Sequence, residues 1–472
     1  MTAMFWPVVI FMAISLAIGL YTYTQVRGSS ERYTVCGKSM PFLVVGTALL
    51  AQAVDGNATL GNVSLVWSSN IWGGLLIPAG LAVSLVIVGK YLAGPLNEMD
   101  LMTLPEFFLR RYGKSTELLV SIVTLACFMV LIAGNLSAVA WILSVVSGMS
   151  YGTSLIIATT VIVTYTMAGG LYSAIWTDFF QIHVALIGFV AAAVWLVFHY
   201  GTSPLAAAVN AGKLDISALT KLSAGALPNW ANFLSLGLGN AMALDFMERV
   251  FSAKSGKTAS NACYYAACLT LVAGGCATLM GLYSVSLVPK IDDARMVLPT
   301  LANGTLPFWM GVMVFIGVLG ASMSTANGAM LVMSVVAARN LFERYRAVPV
   351  SDAKMLTISR VMAIPTAIVA GLMAYWKPEP GILLVIAFDI VFAGCVVPLF
   401  FGVHSRQANS QAAVSAIIVG TVSRLIAHFA TPAEWAGADT LVPPVLSLVT
   451  FLTVMKMTSR AEVPAPLVAH GD

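Results

Sequence analysis

Midway along an apolar run from Pro41 to Trp67 stand Ala53, Val54, Asp55, Gly56 and Asn57, which place a carboxylate, a glycine and an amide together. At bilayer depth such groups cost several kcal/mol unless they line a cavity or hold an ion. The stretch therefore reads as a membrane helix that breaks to make a binding site. A second interrupted run carries Gly237, Leu238, Gly239 and Asn240, with Asp245 a little further on. Elsewhere Ala321, Ser324 and Thr325 stand at i, i+3 and i+4, so two hydroxyls share one helix face, and Gly317, Gly320 and Gly328 keep that face small. Oxygens so placed suit a hard cation. The same spacing also lets helices approach closely, and the residues alone leave both readings open.

These groups sit in a chain of 472 residues that is 59% hydrophobic and 9% charged, with a mean hydropathy of +0.90. Soluble proteins carry roughly 25% charged residues, so this is a polytopic membrane protein whose surroundings are a lipid bilayer. The alternating ten-residue strands of an outer-membrane barrel are absent. The six cysteines lie mostly inside apolar runs without metal-ligand spacing and read as small buried hydrophobes. The net charge of +4 is spread too thinly for a nucleic-acid footprint. No nucleophile, base and orienting group fall at recognisable spacing, which argues against an enzyme. His183, His199 and His428 suit packing or interfacial roles better than proton relay.

Apolar runs long enough to cross the membrane begin at Met4–Val26 and recur at about 41–67, 72–93, 116–147, 151–168, 172–200, 229–250, 259–288, 306–340, 353–376, 380–403, 409–430 and 439–457, about thirteen spans in an all-α fold. Arg27 and Arg32 follow the first run and do not precede it, which is the reverse of a signal peptide and puts the N-terminus outside. Of the 24 Lys and Arg, 17 then fall in cytoplasmic segments and 5 in external ones. This charge bias supports an external N-terminus, a cytoplasmic C-terminus and a place in the plasma (inner) membrane. Residues 1–457 read as one transporter domain, with a short cytoplasmic tail over 458–472. The long loop 201–228 divides spans two to six from spans seven to eleven, and five plus five is the count of an inverted repeat, with halves at about 41–200 and 229–403. Each half opens on an interrupted span, the second and the seventh, and paired broken helices mark the binding site of such proteins.

The stretch Ala168-Gly169-Gly170-Leu171, with Thr177-Asp178 and Gln181 after it, resembles the sodium:solute symporter family. Tyr33 through Ser39, Thr103-Leu104-Pro105-Glu106-Phe107, Arg111-Tyr112-Gly113, Arg249, Ala253-Lys254-Ser255 and Ser322-Met323-Ser324-Thr325-Ala326 agree with it in order and spacing. The resemblance covers nearly the whole chain. It implies the leucine-transporter type fold, with five plus five inverted repeats and flanking helices, and sodium as the coupling ion. It further implies a sodium held by the carbonyls of Ala53, Gly56 and Ala321 and the hydroxyls of Ser324 and Thr325. Asp55, which resembles the aspartate of proline/sodium symporters, would stand beside the ion; its alternative role is to cap backbone amides loosened by the break. Asp178 corresponds to an aspartate that in some members joins a second sodium site, but the further hydroxyl positions here are Asn327 and Gly328. That leaves Asp178 to ion release or to an ion pair with a cytoplasmic basic residue.

The solute site is expected beside the breaks, at Asn57, Asn135, Gly239, Asn240 and Asp245. Asp389 and Arg424 lie at similar depth in the eleventh and twelfth spans and could neutralise each other. A similar aspartate and arginine occur in the choline transporters, which favours structural pairing over substrate contact. The broken segments bring no tryptophan for an ammonium cage and too few amides for a sugar, so a small polar zwitterion or amine is favoured. The expected function is sodium-coupled symport that needs no protein partner. Proton coupling through Asp55 or Asp178, or a solute sensor working through a partner chain, are the alternatives.

Overall fold

A computed structural model of the chain describes residues 3–288, 291–377 and 380–458. Within them the structure is helical, apart from one bridge between Met40 and Ala253. A bilayer leaves backbone N–H and C=O groups no water to bond, so apolar runs of this length resolve into helices. Polar residues placed just before such runs fix where helices begin. Asn70, Ser150, Ser255 and Asn409 each accept a backbone N–H three residues on, from Gly73, Thr153, Thr258 and Ala412.

Ten helices among the described residues are long and apolar enough to cross a membrane, and two bent pairs bring the number to twelve. The expected count of about thirteen differs by the seventh span, which is divided more deeply than a glycine pair implies. Helix Ala226–Leu234 passes into a π turn at Ser235–Gly239, a 3-10 turn at Asn240–Met242 and an extended Ala243 before helix Leu244–Ser252. Neither piece is a span by itself. The second span bends by 52° between Phe42–Ala53 and Ala58–Ser68, with Val54 leaving helical geometry at ψ 72°. A further bend of 47° separates Ile386–Gly394 from Val396–His404 in the eleventh span.

The fourth (Lys114–Ser147), sixth (Leu171–Tyr200) and ninth (Phe308–Val336) spans pack around the second, and the eighth (Gly256–Leu287) covers its other side. The twelfth (Ser410–Ala430) and thirteenth (Ala438–Thr458) spans form a closely packed pair beside the eleventh. At one end of the bundle the basic loops meet: Met40 N–H donates to Ser252 O, Lys254 N–H to Met40 O, Arg339 to Ser30 Oγ, and Arg344 pairs with Glu117 at 3.0 Å. The tail beyond residue 458 lies outside the described residues.

The first break presses on the ninth span. A Cβ added at Gly56 would overlap the Ser322 hydroxyl and stand 3.1 Å from Ala138 Cβ. Gly56→Ala should therefore overpack this contact, lowering stability by about 1–3 kcal/mol. A second substitution, Ser322→Ala, removes the nearest atom and should recover part of the loss. Thermal unfolding of the purified protein in detergent measures both, and a neutral Gly56→Ala would remove the close contact from the account.

Candidate ion and solute site

Asp55 closes the break in the second span. Its Oδ1 accepts the Ala58 N–H at 2.6 Å, so the carboxylate caps the helix that restarts there. Its Oδ2 accepts from Asn135 Nδ2 at 3.0 Å, which ties the break to the fourth span. Asp55 is 2% exposed and Asn135 is fully buried. The capping role and a place beside an ion are compatible, because a carboxylate oxygen can accept a hydrogen bond and coordinate a cation together.

Against the first half of the break lies the hydroxyl face of the ninth span. Thr325 Oγ1 stands 3.4 Å from Ala51 O and 3.3 Å from Ala321 O, and Ser324 Oγ stands 3.5 Å from Ala51 O. These separations are long for hydroxyl hydrogen bonds. Oxygens about 2.4 Å from a hard cation, as around calcium, stand about 3.4 Å from one another, so the cluster has the spacing of a ligand shell. Ala51 is the carbonyl that the structure sets against the two hydroxyls, and spacing in the sequence did not single it out. The Gly56 carbonyl accepts from Thr59 Oγ1 at 3.3 Å, and Ala53 lines the cavity described below.

Asp178 belongs to the sixth span. Its helix starts at Leu171, and seven residues at 1.5 Å each carry the carboxylate about 10 Å inward. There it is fully buried. Its Oδ1 accepts the Ser324 hydroxyl at 2.5 Å, and its Oδ2 pairs with Arg249 Nη2 at 2.9 Å. Arg249, also fully buried, donates from Nη1 to Asp245 O at 3.1 Å. The Gln52 amide matches its neighbours when its nitrogen faces Asp245 Oδ2 at 3.1 Å and its oxygen faces Arg249 Nη2 at 2.8 Å. Gly328 makes room for this group, because a Cβ there would come within 2.8 Å of Arg249 Nη2. Where the family pattern can carry a hydroxyl, this chain has a guanidinium in the space.

The two breaks face each other across a small closed cavity, lined by Asp55, Asp245, Asn240, Gln52, Phe246 and Phe388 among others, with Thr325 on its ion-site side. Asn240 Nδ2 donates to Leu236 O at 2.9 Å. Asp245 Oδ1 accepts the Phe246 N–H at 2.9 Å. Gly239 lies against the eleventh span, where a Cβ would stand 2.8 Å from Phe388 O. The side chain of Asn57 lies outside the described residues. Phe246 and Phe388 supply aromatic faces that the broken segments, read for tryptophan alone, did not reveal.

Asp389, next to Phe388, turns the other way. Its Oδ2 accepts from Arg424 Nη2 at 2.9 Å and from Thr440 Oγ1 at 2.8 Å, and Arg424 Nη1 pairs with Asp439 at 3.1 Å. None of these residues lines the cavity between the breaks.

With this geometry in view, the comparisons decide the family. Residues 33–420 match the model of the Sodium:solute symporter family. The chain belongs to the sodium:solute symporter family. It is 24% identical to the human high affinity choline transporter 1 over 89% of this chain and 75% of that protein. It is 23% identical to the sodium/glucose cotransporter of Vibrio parahaemolyticus, over 89% and 84%. It is 22% identical to the osmoregulated proline transporter of Bacillus subtilis, over 96% and 94%. Among solved structures it resembles a substrate-bound, outward-open sodium-coupled sialic acid symporter, with a TM-score of 0.83 and 16% identity over 98% of this chain and 99% of that one. A closed nucleobase-cation symporter, Mhp1, gives a TM-score of 0.58 at 14% identity over 93% and 96%. This family member is therefore a membrane transporter and not an enzyme, and it has the leucine-transporter type fold.

Removing Arg424 would leave Asp389 and Asp439 buried or half-buried without their cation, a loss of about 3–5 kcal/mol. Asp389→Asn should cost less, because Arg424 keeps Asp439. Thermal unfolding of Arg424→Met beside Asp389→Asn tests the order; equal losses would mean that Asp439 contributes nothing.

Proposed function

We propose that this transporter is a sodium-coupled symporter that imports a small solute carrying an ammonium group, an amine or a zwitterion, by alternating access. The observation that carries the reading is the shared cavity between the breaks. Two carboxylates, Asp55 and Asp245, line it together with the rings of Phe246 and Phe388, and its lining includes no Lys or Arg. Carboxylates and aromatic faces both favour a cationic nitrogen. Choline and proline, for which two of the relatives are named, carry such a nitrogen.

Sodium is held by the Ser324 and Thr325 hydroxyls and the Ala51 and Ala321 carbonyls, with Ala53 and Gly56 completing the shell as the family pattern implies. Thr325 belongs both to that cluster and to the cavity wall, so an ion that fixes the cluster also fixes one wall of the solute site. Coupling follows from the difference in affinity between conformations. The oxygen spacing favours sodium over a proton, which needs no shell. Residues 41–200 and 229–403 act as the two inverted repeats. The gathering of basic loops at one end of the bundle supports an external N-terminus and a cytoplasmic C-terminus in the plasma (inner) membrane.

Uptake of labelled choline, proline and small primary amines into proteoliposomes decides the matter. An inward sodium gradient should raise uptake of at least one of them about tenfold or more over potassium. Equal uptake would overturn sodium coupling, uptake driven by a pH gradient alone would establish proton coupling, and binding without flux would mark a sensor. Ser324→Ala and Thr325→Ala should each raise the sodium needed for half-maximal uptake by about tenfold. Asp245→Asn should instead weaken the solute and leave the sodium requirement within about twofold.

A further inference from the structure

One buried carboxylate takes no part in the site as described. Glu248 is 3% exposed, its Oε2 makes no hydrogen bond, and it faces a second cavity, walled by Met102, Leu104, Phe251, Val332 and Val336. This cavity lies between the ninth span and helix Leu104–Tyr112, toward the end of the bundle where the basic loops meet. The cation nearest to its carboxylate is its chain neighbour Arg249, with Nη1 4.0 Å from Glu248 Oε2. Arg249 Nε also lacks a partner. A buried carboxylate is costly when poorly paired, and Glu248 makes only a long ion pair, about 1 Å beyond hydrogen-bond distance, with a guanidinium that is bound to Asp178 at 2.9 Å.

We propose that Glu248 is a second seat for the Arg249 guanidinium, and that Arg249 passes between Asp178 and Glu248 as the ion site empties toward the cytoplasm. The inference rests on the sodium reading of the Ser324 face for its role in transport, but the pairing itself does not. With Arg249 on Asp178, the carboxylate that accepts the Ser324 hydroxyl is closed to a departing ion. With Arg249 on Glu248, the Oδ2 of Asp178 is open, and an ion leaving Ser324 finds a carboxylate on its way out. Each position leaves one carboxylate paired with the tethered cation and the other available to the mobile one. The guanidinium then has a carboxylate partner in either position. Gly328 allows the movement, since the space a side chain would fill there is where the guanidinium lies. Glu248 acts through Arg249, so it is a positioning residue.

A double-mutant cycle on the full chain in detergent tests this without knowledge of the solute. Asp178→Asn and Glu248→Gln, both near-isosteric, should each lower the melting temperature modestly in KCl, because Arg249 keeps one partner in either variant. The double variant, which strands the guanidinium, should lose at least about twice the sum of the single losses. In an Arg249→Met background the two substitutions should become additive. Additive losses with Arg249 present would overturn the proposal, as would a Glu248→Gln loss as large as that of the double variant. Repeating the melts in NaCl separates the two readings. Glu248→Gln should keep the sodium-dependent stabilisation of the unmodified protein, with the sodium midpoint changed less than about twofold, and a larger change would place Glu248 in the ion site and overturn its role as a seat. If the unmodified protein shows no sodium effect, the sodium reading fails while the cycle in KCl still decides the seat.

Discussion

A charge buried in a membrane bundle must be met by an opposite charge or by several hydrogen bonds, and Asp178 with Arg249 is where this chain meets that demand most heavily. Asp178 comes from the sixth span, Arg249 from the seventh, Ser324 from the ninth and Gln52 from the second. Four helices widely separated in sequence are thus held in register by one hydrogen-bonded network around the Asp178–Arg249 pair. Apolar packing alone is tolerant of sliding, since one aliphatic contact resembles the next. A network of directional hydrogen bonds is not. The oxygen cluster at Ser324 and Thr325 and the cavity at Asp245 both border this network, so their geometry follows from its register.

Much of the fold was legible because the bilayer permits few alternatives. Apolar runs of twenty residues had to be helices, and caps such as Asn70 and Ser150 marked their starts. The break at Asp55 was legible too, because a carboxylate followed by glycine has no cheap place in a straight membrane helix. The extent of the seventh-span break was not. Glycine is compatible with a straight membrane helix as well as a broken one, and Gly237 and Gly239 do not say that the chain leaves helical geometry as far as Ala243. The bend at Cys395 gave still less signal, since Gly394 and Pro398 flank it without demanding it.

The site divides along similar lines. Asp55, Asn135, Asp245, Ser324 and Thr325 stood out as polar groups inside apolar runs, and the structure brings them to one region. Their partners did not stand out. The Ala51 carbonyl carries no side-chain signature, and Phe246 and Phe388 are indistinguishable in sequence from the phenylalanines that face lipid. Arg249 reads as a charge at the cytoplasmic end of a span because Lys254 and Lys257 follow closely. In the fold, helix Leu244–Ser252 runs inward from that end, and its charges are as buried as the aliphatic residues around them.

The eleventh span carries two adjacent residues with opposite attachments. Phe388 forms part of the cavity wall, while Asp389 is bound to Arg424 and Thr440 on the outer helix pair. A turn of the backbone there carries both side chains with it. The lipid-facing twelfth and thirteenth spans are therefore geared to the cavity: a tilt of that pair, as in a bilayer of different thickness, is delivered as a rotation of one aromatic ring. Membrane thickness thus has a mechanical route to the cavity through a helix that is buried at that point.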